Sequence, residues 1–214
     1  MELDVYADVV CPWCYIGNRR LHRALAAFDG PVHLRYRPFQ LDPTPVAQPR
    51  PLIEAMAAKF GGRDRATAMF DRVTEVAAAD GLELRFDRAV AANTFDAHRL
   101  IWFAGERGCA DEVVEALYRA HFTEGADIGS PTVLAAVAAG VGLDGTEIRE
   151  RLASDADVAE VRAAIAEAQA IGVRSVPTFV LAGRYAVTGA QDTRTLLAAL
   201  TEVAERGDAD QPTG

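Results

Sequence analysis

The sequence predicts an α/β fold built on a single sheet and carrying a large all-helical insertion. Three observations predict it. An apolar, β-branched run at residues 3–10 leads into a helical pattern and then into a strand of period two. A long stretch of helical period follows. The period then returns to two at 177–189, ahead of one last helix. The block is inserted in sequence, and both its ends return to the same sheet.

In order, LDVYADVV (3–10) reads as a buried strand. Pro12 suits the first turn of the helix that follows, where a missing N–H costs nothing. Ile16, Leu21, Leu25 and Phe28 keep roughly helical spacing until Asp29-Gly30-Pro31 stops it. In VHLRYRPFQL (32–41), Val32, Leu34 and Tyr36 alternate with polar residues, so this is a second strand. A right-handed crossover makes it parallel to the first. The segment DPTPVAQPRP (42–51) holds four prolines and reads as a stiff connector. Helices are then predicted over 64–80, 93–108, 110–122 and from Ser130 onward. Asn93 or Thr94 caps the second of these, and Pro131 stands at the start of the last. GLELRF (81–86) between them is a brief extended piece. The stretch 157–173 is amphipathic. PTFVLAG and RYAVTG form a hairpin around Ala182-Gly183, and Asp192 caps a final helix over 193–206. The organisation is therefore residues 1–41 as the first half of the α/β domain, 42–156 as the helical insertion, 157–206 as the second half, and 207–214 as a flexible tail.

Composition excludes several functions. The net charge of −9 without a basic patch gives nucleic acid no electrostatic footing. No apolar run is long enough to span a membrane, and MELDVYADVV lacks the basic start of a signal peptide. The expected location is cytoplasmic. Lys59 is the only lysine, which removes most amine chemistry.

The chain has three cysteines, Cys11, Cys14 and Cys109, and the first two frame Cys11-Pro12-Trp13-Cys14. A strand-to-helix turn places Cys11 at a helix N-terminus, where free N–H groups and the macrodipole favour thiolate over thiol. A thiolate is the nucleophile of disulfide exchange. Cys14 stands one turn along the same face and can resolve a mixed disulfide on Cys11. Half of a zinc site is the competing reading. It needs two further ligands, and neither a second CxxC nor a close pair among His22, His33, His98 and His121 supplies them. Neither a metal nor an organic cofactor is expected; the redox group is the Cys11–Cys14 pair. Pro177, directly ahead of an apolar strand, is a candidate cis peptide, although on spacing alone a trans loop proline is the commoner case.

CPWCYIG with SVPTFV about 165 positions later resembles the DsbA-like branch of the thioredoxin superfamily. The fuller set (DVVCPWCYIG, NTFDAHRL, HFTEGADIG, GVRSVPTFVLAGRYAVTGAQ) is similar to its cytosolic FrnE-type members. The resemblance covers nearly the whole chain. It implies a thioredoxin-like fold with a helical insertion, a cis Pro177 facing the CPWC turn, and a Val176 backbone that pairs with an extended substrate. Its partners would be disulfide-containing proteins or small-molecule thiols. Two departures stand out. The buried acid that many thioredoxin-fold enzymes place six residues before the first cysteine is Val5 here. Oxidases of the DsbA type are periplasmic, and this chain shows no leader.

Asp8, the nearest acid, is expected to be a solvated loop residue; its functional alternative is proton transfer to the resolving thiol through water. Trp13 either packs on the surface or offers substrates an apolar contact. His98 is expected to be a packing histidine, the alternative being a lining of the substrate cleft. Cys109, at a helix start beside Asp111 and Glu112, is expected to be a passive, partly buried thiol, with a redox-sensing role as the alternative. Gln191 is expected to fix its loop. Two rival functions remain: a glutathione-dependent enzyme like 2-hydroxychromene-2-carboxylate isomerase or kappa-type transferases, with a place in polyketide tailoring, and a client-binding, chaperone-like protein.

Overall fold

The structure, a computed structural model, describes residues 1–46 and 48–209. Strand β1 (Glu2–Ala7) runs into helix α1 (Pro12–Ala27), and β2 (His33–Pro38) follows. Helices α2 (Leu52–Phe60), α3 (Arg63–Ala79), α4 (Phe95–Glu106), α5 (Ala110–Arg119), α6 (Pro131–Gly140) and α7 (Gly145–Leu152) come next. Helix α8 (Val158–Ala170), the hairpin β3 (Thr178–Leu181) and β4 (Tyr185–Thr188), and α9 (Thr193–Ala209) complete the fold.

The sheet order is β2-β1-β3-β4. β1 is parallel to β2 and antiparallel to β3, and β3 is antiparallel to β4. Alternation along β1 divides the core. Leu3, Val5 and Ala7 join the main cluster with α1, while Tyr6 points the other way, into a small cluster with Phe39, Ala168 and Val173. Helix α8 therefore covers one face, and α1 with α9 the other.

Several elements differ from the sequence expectation. Residues 81–86 keep the buried alternation of Leu82, Leu84 and Phe86 but pair with no strand. Their surroundings are helical, and the Arg85 N–H donates to the Phe122 carbonyl at 2.6 Å. The helix expected to end at 122 gives way at Ala120 to a π-helical turn, Ala120–Glu124, so that Ala120, His121 and Phe122 are all buried. Two helices had no separate expectation, α2 and α7. Helix α7 starts where Asp144 accepts from the Thr146 and Glu147 N–H groups. At α4 the N-cap is Thr94, yet it is Asn93 whose side chain accepts from Phe95 N. Of the tail expected at 207–214, residues 207–209 belong to α9, which continues through Ala209, and residues 210–214 lie outside the described residues.

Candidate active site

β1 ends below the surface, and Asp8-Val9-Val10 carries the chain to α1. Cys11 is the N-cap of α1 with extended backbone (φ −93°, ψ 111°), and Pro12 occupies the first turn. The Cys11 carbonyl accepts from Cys14 N at 3.0 Å and Tyr15 N at 3.3 Å, which closes the first turn. Both cysteines are free thiols. Cys11 is 5% exposed and Cys14 1%, so the first thiol lies nearer solvent. Burial, together with the adjacent Cys11, pushes the Cys14 thiol well above its ordinary range.

The opposite wall is the loop before β3. The Val176–Pro177 peptide is cis. The Val176 carbonyl oxygen lies 3.9 Å from Cys11 Sγ. What allows this approach is Gly17, two helical positions beyond Tyr15. A Cβ there would stand 2.9 Å from Pro177 Cγ and 3.3 Å from Phe179 Cζ, so any side chain would push α1 off the proline loop. Gly17 was present in the CPWCYIG motif, but its role depends on a contact 160 positions away in sequence and escapes a linear reading.

Asp8 corrects its expectation. It is 1% exposed, not solvated. Its Oδ2 accepts from Leu41 N at 2.8 Å, and its carbonyl accepts from Cys11 N at 3.0 Å, so it pins the CPWC turn to the segment after β2. Its Oδ1 has no hydrogen bond and lies 3.4 Å from His98 Nε2. The Asp8 charge also bears on Cys14, adding to the pressure against the thiolate. His98 likewise does not line an open cleft. It is 3% exposed and donates from Nε2 to the Phe39 carbonyl at 3.1 Å.

Two further buried groups sit behind the dithiol. Tyr118, fully buried, stacks on Tyr15 with ring centroids 4.8 Å apart, and its hydroxyl has no protein partner. Burial holds its phenol well above the usual range. His121, on the π turn, is 0% exposed and neither ring nitrogen has a protein partner. Burial lowers its pKa to about 4, against a pull upward from the Asp8 charge. Sequence reading listed His121 only as a poor zinc candidate; its burial follows from the π turn, which no residue pattern announces.

Trp13 is 38% exposed and stands with Cys11 and Pro12 at the edge of a groove of about 1010 Å³. Cys109 is half-buried at the N-cap of α5 with Sγ 3.7 Å from the Ala104 carbonyl. The Gln191 side chain donates to the Thr188 carbonyl and holds the turn after β4. Among the described residues no group of three or more His, Cys, Asp or Glu is placed to hold a metal ion, and no helix is long and apolar enough to cross a membrane.

Comparison with known proteins agrees with this architecture. The chain matches the DsbA-like thioredoxin domain family over residues 2–201. A probable DsbA oxidoreductase of Streptomyces coelicolor is 38% identical and superposes with a TM-score of 0.89, covering 96% of this chain and 90% of that one. A 2-hydroxychromene-2-carboxylate isomerase shares the fold at 18% identity and a TM-score of 0.72, covering 99% of this chain and 100% of its own. The cytosolic disulfide reductase DsbM of Pseudomonas aeruginosa shares it at 20% identity and a TM-score of 0.68, over 96% of this chain and 99% of that one. A sheet of order β2-β1-β3-β4, with six helices between β2 and α8 and a family match over nearly its full length, places this chain in the DsbA-like thioredoxin family.

Proposed function

We propose that this protein is a thiol–disulfide oxidoreductase that cycles between the Cys11/Cys14 dithiol and its disulfide. The observation that carries the reading is the paired placement of the two thiols. Cys11 caps α1 within reach of the Val176–Pro177 loop, and Cys14 lies one turn deeper, buried beside it.

In the forward step the Cys11 thiolate attacks one sulfur of a substrate disulfide. That S–S bond breaks, and the departing thiolate takes a proton from solvent. Cys14 then gives up its proton and displaces the second substrate thiol from Cys11. Two electrons have moved from protein to substrate, and an external thiol restores the dithiol. Asp8 is the buried acid nearest this event, and its carboxylate receives the Cys14 proton through water. The Val176 backbone, beside Cys11, would pair with an extended substrate. The cycle draws on no metal or organic cofactor. The reading puts it in the cytoplasm running as a reductase, the direction of the structurally similar cytosolic disulfide reductase DsbM.

An isomerase with a single nucleophile has no use for Cys14, and likeness to the isomerase rests on fold alone. The test is dithiothreitol-driven insulin reduction by wild type, Cys11→Ser and Cys14→Ser. Wild type should be active, Cys11→Ser inactive, and Cys14→Ser should accumulate a mixed disulfide on Cys11. Absence of wild-type activity over background sinks the reading, and full activity of Cys14→Ser favours the single-nucleophile class.

A further inference from the structure

Five large apolar side chains are exposed among the described residues: Trp13, Leu41, Val46, Phe60 and Ile171. The first four line one groove, the one of about 1010 Å³ that begins at Cys11. Apolar exposure concentrated in this way marks a binding surface. The groove lies between the CPWC turn, the proline-rich connector and helices α2 and α3. Phe70 and Phe86 stack within it, centroids 4.1 Å apart and planes within 4°. Met56 and Met69 stand beside them, and methionine adapts its shape to what it meets. The volume matches that of small-molecule pockets.

The charge of the lining runs against that of the chain. The protein carries −9, yet the charged residues along the groove are Arg50, Lys59 and Asp42. Lys59 Nζ is 3.6 Å from Asp42 Oδ2, with both side chains about half exposed, so those two offset each other. The Arg50 guanidinium has no ion pair or hydrogen bond among the described residues. Arg50, an exposed fork-shaped cation with no compensating charge among the described residues, therefore lines an apolar trough that begins at the attacking thiol.

Building on the exchange reading, we propose that the groove takes a low-molecular-weight disulfide with an aromatic or branched apolar body and a carboxylate. The carboxylate sits on Arg50, the body lies across Phe60 and Phe70, and the S–S bond is presented to Cys11. Cys11 attacks the near sulfur and one half leaves as a thiol. Formation of the Cys11–Cys14 disulfide releases the other half, so the ligand gains two electrons and the dithiol loses them. Glutathione disulfide carries the carboxylates without the apolar body, and a cationic disulfide has the wrong charge.

Calorimetric titration with two sulfur-free analogues of one shape, a biphenyl carboxylate and a biphenylmethyl ammonium, tests the ligand class. The carboxylate should bind wild type about tenfold or more tighter than the ammonium. Arg50→Ala should abolish that preference, and Phe60→Ser should weaken both ligands. The bound carboxylate should slow alkylation of Cys11 by iodoacetamide and compete with reduction of dithiobis-nitrobenzoate. Equal affinity for the two analogues overturns the proposal, as does indifference to both substitutions. So does a wild-type dimer in sedimentation that buries the groove, or a failure of the carboxylate to compete while an unfolded disulfide protein does. Neither analogue can undergo exchange. Binding without insulin reduction therefore refutes the exchange chemistry alone, and insulin reduction without binding refutes the ligand class alone.

Discussion

Replacing His121 by leucine should flatten the acid limb of this protein's stability curve. The imidazole is 0% exposed, rests edge-on against Phe122 with centroids 4.6 Å apart, and has no protein partner at either nitrogen. Burial lowers its pKa from 6.5 to about 4. In the unfolded chain the ring recovers its ordinary value. As pH falls below 6.5, the unfolded state takes up a proton that the folded state refuses. The stability associated with neutral His121 is thus complete above 6.5 and is lost as pH falls toward about 4. The loss is about 2 kcal/mol at pH 5 and about 3 kcal/mol once pH is below both values. Asp8 is the charge that bears on the ring and moderates the effect. Leucine removes both unpartnered nitrogens at similar volume, so at pH 7.5 the change should be within about 1 kcal/mol. Urea unfolding of wild type and His121→Leu, followed by circular dichroism at pH 5 and 7.5, measures the difference of slopes. Parallel losses in the two proteins would refute the reasoning. So would a His121 ring titration in wild-type NMR spectra with its midpoint at the ordinary histidine value.

Four other substitutions probe the site and its frame. Gly17→Ala puts a Cβ 2.9 Å from Pro177 Cγ and should cost about 1–3 kcal/mol. By displacing the proline loop it should also lower insulin reduction about tenfold. Gly105→Ala on α4, where a Cβ meets nothing within 4 Å, should instead raise thermal stability by up to about 1 kcal/mol. Asp8→Asn keeps an acceptor for Leu41 N but removes the carboxylate. Single-turnover release of the second thiol should slow by about tenfold or more, and an unchanged rate rejects Asp8 as proton acceptor. Arg99, 4% exposed, donates to the carbonyls of Arg151, Leu152, Ser154 and Ala156 and to Asp96. Arg99→Met takes this donor from the Leu152, Ser154 and Ala156 carbonyls, while the Arg151 carbonyl keeps Ser154, and should cost about 3–5 kcal/mol in urea unfolding, with the dithiol chemistry retained in the folded fraction.

The chain's local order carried much of the outcome. A β-branched run ending in CPWC, with proline at the helix start, is enough to set a strand-to-helix turn with one thiol at its tip and the other a turn below. These preferences act over a few residues, and they hold in the structure at β1, Cys11 and α1. The return to period two after 177 likewise appears as β3 and β4. Burial and partnership were decided elsewhere. Asp8 looked like a loop acid, and it became a buried one because the segment after β2 and helix α4 close over it from more than thirty residues away. His98 and His121 are polar letters in amphipathic stretches. Only the packing of α4 on β2, and the π turn after α5, send them inward. Gly17 is one glycine among 17 until Pro177 arrives against it. The groove beside Cys11 has the CPWC turn, the proline-rich connector and helices α2 and α3 as its walls, which come from separate parts of the chain. Propensity and period are short-range and can be read along a line. Desolvation, close approach and cavity shape depend on which distant surfaces meet, and only the folded chain brings those surfaces together.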